Sequence, residues 1–141
     1  ETGAPAGAMV LPDGRVVTGK TSSLLGASAA LLLNALKHMA GIDHKLDLIP
    51  SSVIEPISAM KTGCLGHRNP RLHSDEVLIA LAISGLTNPL AAMVQAQLKN
   101  LRGCEAHFSV IISEEDAKLY KRLGINVSCE AKYEVKSLYH K

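Results

Sequence analysis

Short extended segments alternate with longer apolar helical segments along this chain, and that alternation constrains the fold more than any single motif does. The first extended pair flanks Leu11-Pro12-Asp13-Gly14. Proline presets φ there and glycine takes a positive φ, so Ala6 to Leu11 and Arg15 to Thr18 are expected to form a hairpin. A helix from about Gly26 to Ala40 follows, with Leu25, Ala29, Leu32, Leu36 and Met39 on one stripe that Leu24, Leu31 and Ala35 widen. So broad a stripe predicts a helix covered on most sides. Leu46 to Ile49 is a candidate short strand. Ser52-x-x-Glu55 resembles a capping box, although Pro56 is an equally good start for a shorter helix. Ser74 can cap a helix running to about Ser84, with Asp75 and Glu76 in its first turn, and Pro89 to Leu101 predicts another. Glu105 to Ile112 reads as a strand, Ser113 opens a helix with an acidic first turn that Gly124 stops, and Ile125 to Cys129 reads as the last strand. One α/β domain over residues 1–141 is the expected result, with a mixed sheet because the hairpin adds antiparallel pairing to strands joined through helices.

Gly14, Gly19, Lys20 and Thr21 also spell the phosphate-loop signature G-x-x-x-x-G-K-T. A working phosphate loop follows a buried strand and curls its backbone N–H groups around the phosphates. Here Gly14 belongs to the hairpin turn, and Arg15-Val16-Val17-Thr18, mostly β-branched, favours an extended strand. The acid that would hold magnesium at the end of an apolar strand is also missing, since Leu46 to Ile49 runs into Pro50 and Val110 to Ile112 into Ser113. The domain alone is therefore expected not to hydrolyse ATP or GTP. What remains is a segment, Thr18 to Ser23, that joins a strand to a helix; either Lys20 and Thr21 meet an anion there or Ser22 or Ser23 merely caps the helix.

Charge and aromatic content exclude several partners. With 15 Lys and Arg against 13 Asp and Glu, the net charge of +2 gives no nucleic-acid surface, and aromatics at 3% give no base-stacking platform. Val77 to Leu98 lacks charged side chains over a membrane-spanning length, but Thr87-Asn88-Pro89 is a helix start that divides it, so no membrane span is expected. Cys64, Cys104 and Cys129 are odd in number and far apart, which fits free thiols in a reducing cytoplasm. The first residue is Glu1 rather than methionine, which favours a piece of a longer protein.

The stretches LPDGRVVTGKTSSLLGASAALLLNALKHMAGI, NPRLHSDEVLIALAIS and LRGCEAHFSVIIS resemble the uncharacterised bacterial family defined by domain of unknown function 1846, in its C-terminal part. The resemblance covers roughly Ala6 to Glu130. It implies a three-layer α/β/α sandwich similar in topology to cytidine deaminases, with the N-terminal domains of a longer protein as partners. It implies no established activity. Deaminase zinc chemistry needs His-x-Glu and Pro-Cys-x-x-Cys, and the chain contains neither, so no metal and no cofactor are expected.

The candidate ligand-binding residues lie in separate segments. Gly66 to Glu76 is the densest polar stretch, and its Arg68, Arg71 and His73 can form the positive wall of a site for a phosphate or carboxylate, shared with Lys20 and Thr21. Glu105, His107 and Ser109 alternate on one strand face, but alternate positions lie about 7 Å apart, too far for a hydrolytic triad. Glu105 or His107 must instead meet a partner from another segment. Two functions are consistent with these residues: completing an anionic small-molecule site in a larger enzyme, or a structural module that docks other domains or a second copy through alanine-rich helices. Convergence of the polar segments favours the first, and a broad exposed apolar face the second.

Overall fold

The computed structural model describes residues 5–130. Its element order is β1 (Ala6–Val10), β2 (Val16–Lys20), α1 (Ala27–Met39), α2 (Ser51–Gly63), α3 (Ser74–Ser84), α4 (Pro89–Gln95), a 3-10 turn (Ala96–Leu101), β3 (Glu105–Phe108), α5 (Glu114–Arg122) and β4 (Asn126–Cys129). The described residues are α/β with a mixed four-stranded sheet in the order β2-β1-β3-β4. β1 pairs antiparallel with β2 and β3, while β3 and β4 are parallel and joined through α5.

The hairpin forms as its turn chemistry predicts. Gly14 sits at φ 85°, its N–H donates to Leu11 O at 2.9 Å, and Leu11 N–H donates to Arg15 O at 2.9 Å. Residues 16 to 20 of the phosphate-loop signature are therefore an extended strand. Gly19 has a packing role: a β-carbon built on it would lie 2.6 Å from Leu31 Cα, so the missing side chain lets α1 settle onto β2.

Alternation then divides the sheet. Gly7, Met9, Gly19, Ala106 and Phe108 are buried on one face. α1 covers β1 and β2 there, and Tyr120 of α5 meets Phe108 edge-on with ring centroids 5.6 Å apart. α3 packs over α1 and α5, and α4 over α3. The opposite face carries Val10, Val16, Thr18, Lys20, Glu105, His107, Asn126 and Ser128, all exposed, and no described helix covers it. The described residues thus form a sheet with helices on one side.

Several expected boundaries move. Leu46 to Ile49 forms no strand: Leu48 and Ile49 are buried, but they line a hollow of about 200 Å³ with Leu25, Leu33 and Ile54, and Pro50 lacks the N–H that continued pairing would need. α2 starts at Ser51, one residue ahead of the supposed capping box and well before Pro56, which lies inside the helix. The helix expected over Pro89 to Leu101 tightens into a 3-10 turn from Ala96. β3 ends at Phe108 instead of Ile112; Ser109 N–H still donates to Ala6 O at 2.8 Å, at the start of β1. The helix after β2 begins at Ala27 with Gly26 as N-cap, so neither Ser22 nor Ser23 caps it; Ser22 Oγ accepts from Leu24 N at 3.3 Å and Leu25 N at 3.1 Å in a local turn. Nor is Ser74 the cap of α3: His73 is, and Ser74 is the first helical residue.

Candidate functional site

Because β3 and β4 run parallel with His107 opposite Ser128, side chains two residues apart on each strand share the open face. Glu105 and His107 of β3 thus stand beside Asn126 and Ser128 of β4, with Glu130 just past its end. The His107 ring is held at both nitrogens, with Ser128 Oγ 2.8 Å from Nδ1 and Glu130 Oε2 2.8 Å from Nε2. Its side chain remains 52% exposed and that of Glu130 57%, so the imidazole is oriented and accessible at once. His107 therefore meets partners from another segment. Ser128 and Glu130 were not singled out by the sequence; the signal that finds them is the alternation of Asn126, Ser128 and Glu130 read in parallel register against Glu105 and His107.

The other candidates form a second group at the end of β2. Lys20 is exposed on the open face, and Thr21 is half-buried with an Oγ1 that has no hydrogen-bond partner among the described residues. Segments 22–26 and 71–73 run side by side: Leu72 N donates to Leu24 O at 2.9 Å, Gly26 N to Leu72 O at 3.1 Å, and Arg71 Nε to Ser22 O at 2.5 Å. Arg71 and the Lys20–Thr21 segment are thus brought close. Arg68 is exposed and His73 half-buried, and neither has a side-chain hydrogen bond or ion pair to Lys20, Glu105 or His107.

Main-chain donors at the start of α3 already have acceptors. His73 N donates to Glu76 Oε1 at 2.8 Å and Ser74 N to Asp116 Oδ1 at 3.0 Å. An anion there would have to be held by arginine side chains. Lys61, only 2% exposed, donates to Arg71 O at 2.6 Å and to Glu76 Oε1 at 2.7 Å. Burial alone would raise the Glu76 carboxyl, but the Lys61 ammonium and the His73 N–H outweigh it and hold it below the ordinary glutamate value. His73, Asp75 and Glu76 present ligand atoms within 4.8 Å of one another, yet Lys61 already supplies the positive charge at that point.

Asp116 marks the start of α5 and is 5% exposed. Ser28 Oγ donates to its Oδ2 at 2.5 Å and Ser74 Oγ to its Oδ1 at 2.5 Å. Ser28, Ser74 and Asp116 lie in the first turns of α1, α3 and α5, so helix N-termini converge on one internal carboxylate. Tyr120 O–H donates to Ser28 O at 2.6 Å; burial, with the Asp116 charge beside it, pushes that hydroxyl well above the ordinary phenol value and keeps it a donor. The side-chain oxygens of Ser28, Ser74, Asp116 and Tyr120 all have partners, and all four residues are buried.

Glu105 has one more surrounding: with Val10, Leu11, Arg102 and Cys104 it lines a cavity of about 280 Å³ at the other end of the strands. Burial raises the Cys104 thiol above its ordinary value. No described helix is long and apolar enough to cross a membrane.

The sequence profile described as "Domain of unknown function DUF1846, C-terminal" matches residues 1–139. The chain is 56% identical over 141 residues to a UPF0371 protein of Corynebacterium efficiens, covering 100% of the chain and 28% of the relative. It is 54% identical over 140 residues to a UPF0371 protein of Corynebacterium glutamicum, covering 99% of the chain and 28% of that protein. With a UPF0371 protein of Streptococcus thermophilus it shares 49% identity over 141 residues, again 100% of the chain and 28% of the relative. The chain thus spans 28% of the length of these bacterial relatives, as a domain of a larger protein does. It belongs to the uncharacterised family of the DUF1846 C-terminal domain.

Proposed function

We propose that this domain supplies one wall of a small-molecule site in a larger enzyme, for a ligand that carries a phosphate or carboxylate. One observation carries the proposal: His107 is oriented at both ring nitrogens on a sheet face that no described helix covers. An exposed network of this kind adds little stability, whereas it leaves an imidazole ready to bind or move a proton. Lys20 on the same face, with Thr21 and with Arg71 and His73 of the neighbouring segment, would meet the anionic group together with Arg68, and Glu105 and His107 the remainder of the ligand.

A layer from the rest of the longer protein over the open face would complete the three-layer α/β/α arrangement, similar in topology to cytidine deaminases but without their zinc ligands. The site would then lie between layers, where small-molecule sites concentrate. Free Cys64, Cys104 and Cys129 support a cytoplasmic location.

The test is an amide NMR titration of the chain with inorganic phosphate, glucose 6-phosphate and citrate. Signals of Lys20, His107 and Ser128 should move with at least one of them, and Lys20→Ala or Arg68→Ala should weaken binding about tenfold or more, as loss of a charge-assisted contact does. No movement with any probe, or unchanged affinity in both variants, rejects the site. A structural module is the second reading, favoured by α3, whose outer side leaves Ile79 59% and Ile83 50% exposed and continues into Leu86 at 83%. Through that side the domain would dock its parent's other domains or a second copy.

A further inference from the structure

We propose that Ser128 is a nucleophile toward carboxylic esters, with His107 as its general base and Glu130 as the residue that positions His107. The proposal rests on the open face being a small-molecule site and adds a reaction to it. An ionised carboxylate only accepts hydrogen bonds, so the 2.8 Å contact between Glu130 Oε2 and His107 Nε2 places the imidazole proton on Nε2. Neutral imidazole then turns its lone pair at Nδ1 toward Ser128, whose Oγ–H, 2.8 Å away, donates to it. Serine, base and positioning acid are thus in hydrogen-bond contact in the order that nucleophilic catalysis requires. Compared with the serine-protease template the two ring nitrogens are exchanged, which imidazole permits because either can act as base once the other is held.

The strand supplies the remaining part. Among the described strands β4 is an outer one, and its Asn126 and Glu130 N–H groups point inward, donating to Cys104 O and Phe108 O at 2.9 Å each. Strand alternation therefore turns the Cys129 N–H outward, where no described strand pairs with it. It belongs to the residue after the nucleophile, which also donates to the oxyanion in hydrolases whose serine sits on a strand-to-helix turn, although Ser128 lies within a strand. Asn126 and Glu105 flank the network on the same face and would border the ester.

In the reaction, Ser128 Oγ bonds to the carbonyl carbon while its proton passes to His107 Nδ1. The tetrahedral oxyanion collapses, the bond from carbon to the alcohol oxygen breaks, and the alcohol leaves with the proton from Nδ1. Water then attacks the acyl-serine by the same route, releasing the carboxylic acid and restoring Ser128. No electrons change hands and no co-reactant beyond water is needed.

A fluorophosphonate probe tests this on the chain, because Ser128 Oγ would bond to phosphorus as fluoride leaves and the proton goes to His107. Peptide mapping should find one adduct, on Ser128, formed at least about 100-fold more slowly in His107→Gln and about tenfold more slowly in Glu130→Ala, with partial recovery in Glu130→Asp. ¹⁵N signals of the His107 ring should show the proton on Nε2 alone in the unaltered chain and on both nitrogens in Glu130→Ala, a change that a merely structural contact in Glu130 would not link to the labelling rate. No adduct on Ser128, or one that forms equally fast in His107→Gln, overturns the proposal. If inorganic phosphate, glucose 6-phosphate or citrate still moves the His107 signals in that case, the reaction is wrong and the binding site stands; if none of them does, both are wrong.

Discussion

Two clusters in this domain use the same kinds of side chain to opposite ends. Asp116 with Ser28 and Ser74 lies inside, at converging helix starts, and its side-chain oxygens are all bonded. His107 with Ser128 and Glu130 lies on the open face, equally well bonded but accessible. Burial decides what each can do. Inside, the hydrogen bonds are strong and removal of one partner strands the others, so the cluster holds helices in place. Outside, water compensates a lost contact, so the cluster adds little stability and its orientation is free to serve chemistry.

The largest expected effect follows from the inner cluster. Asp116→Ala would leave the Ser28 and Ser74 hydroxyls and the Ser74 N–H buried without acceptors, and should cost about 3–5 kcal/mol in urea unfolding. A loss below about 1 kcal/mol would mean that the helix starts do not depend on that carboxylate, and the contrast would break. Next comes Gly19→Ala, which should cost about 2 kcal/mol by forcing α1 away from β2; full ATP binding by the chain together with loss of it in this variant would instead restore the phosphate-loop reading.

Acid unfolding sharpens the contrast further. Glu76 titrates below its ordinary value in the fold, so its contribution to stability is fully present above about pH 4.3, the unperturbed glutamate value, and is lost as pH falls through the lower folded value. Glu76→Gln should flatten the stability curve in that window, as read by urea midpoints between pH 5 and 2.5, roughly. An unchanged curve would remove Lys61–Glu76 from the structural half of the molecule. The smallest effect belongs to the outer cluster: His107→Gln should change stability by about 0.5 kcal/mol or less.

How legible these regions are from sequence depends on how local their causes are. The hairpin turn at Gly14, the apolar stripe of α1 and the Ser113 cap, whose Oγ accepts from Asp116 N at 3.2 Å, rest on neighbours a few residues apart and read correctly. Leu46 to Ile49 misled because so short a segment, with Leu46, Leu48 and Ile49 around Asp47, has the same pattern whether it pairs in a sheet or buries Leu48 and Ile49 in a loop. Asp116 reads as one acid of a helix first turn, since its real partners are 42 and 88 residues away. His107 was visible as a residue in need of a partner, but Ser128 and Glu130 became its partners only through the parallel register of β3 and β4. The uncovered face was likewise hidden, because alternation divides a strand into two faces without saying which layer lies over each.

One titration reads both regions together. As inorganic phosphate, glucose 6-phosphate and citrate are added in turn to the chain, the central claim predicts that with at least one of them the ¹⁵N signals of the His107 ring move while the Ser74 amide, bonded to Asp116, stays fixed. A fixed His107 ring, or a Ser74 amide that moves with it, would contradict the division between a scaffold inside and a site on the open face.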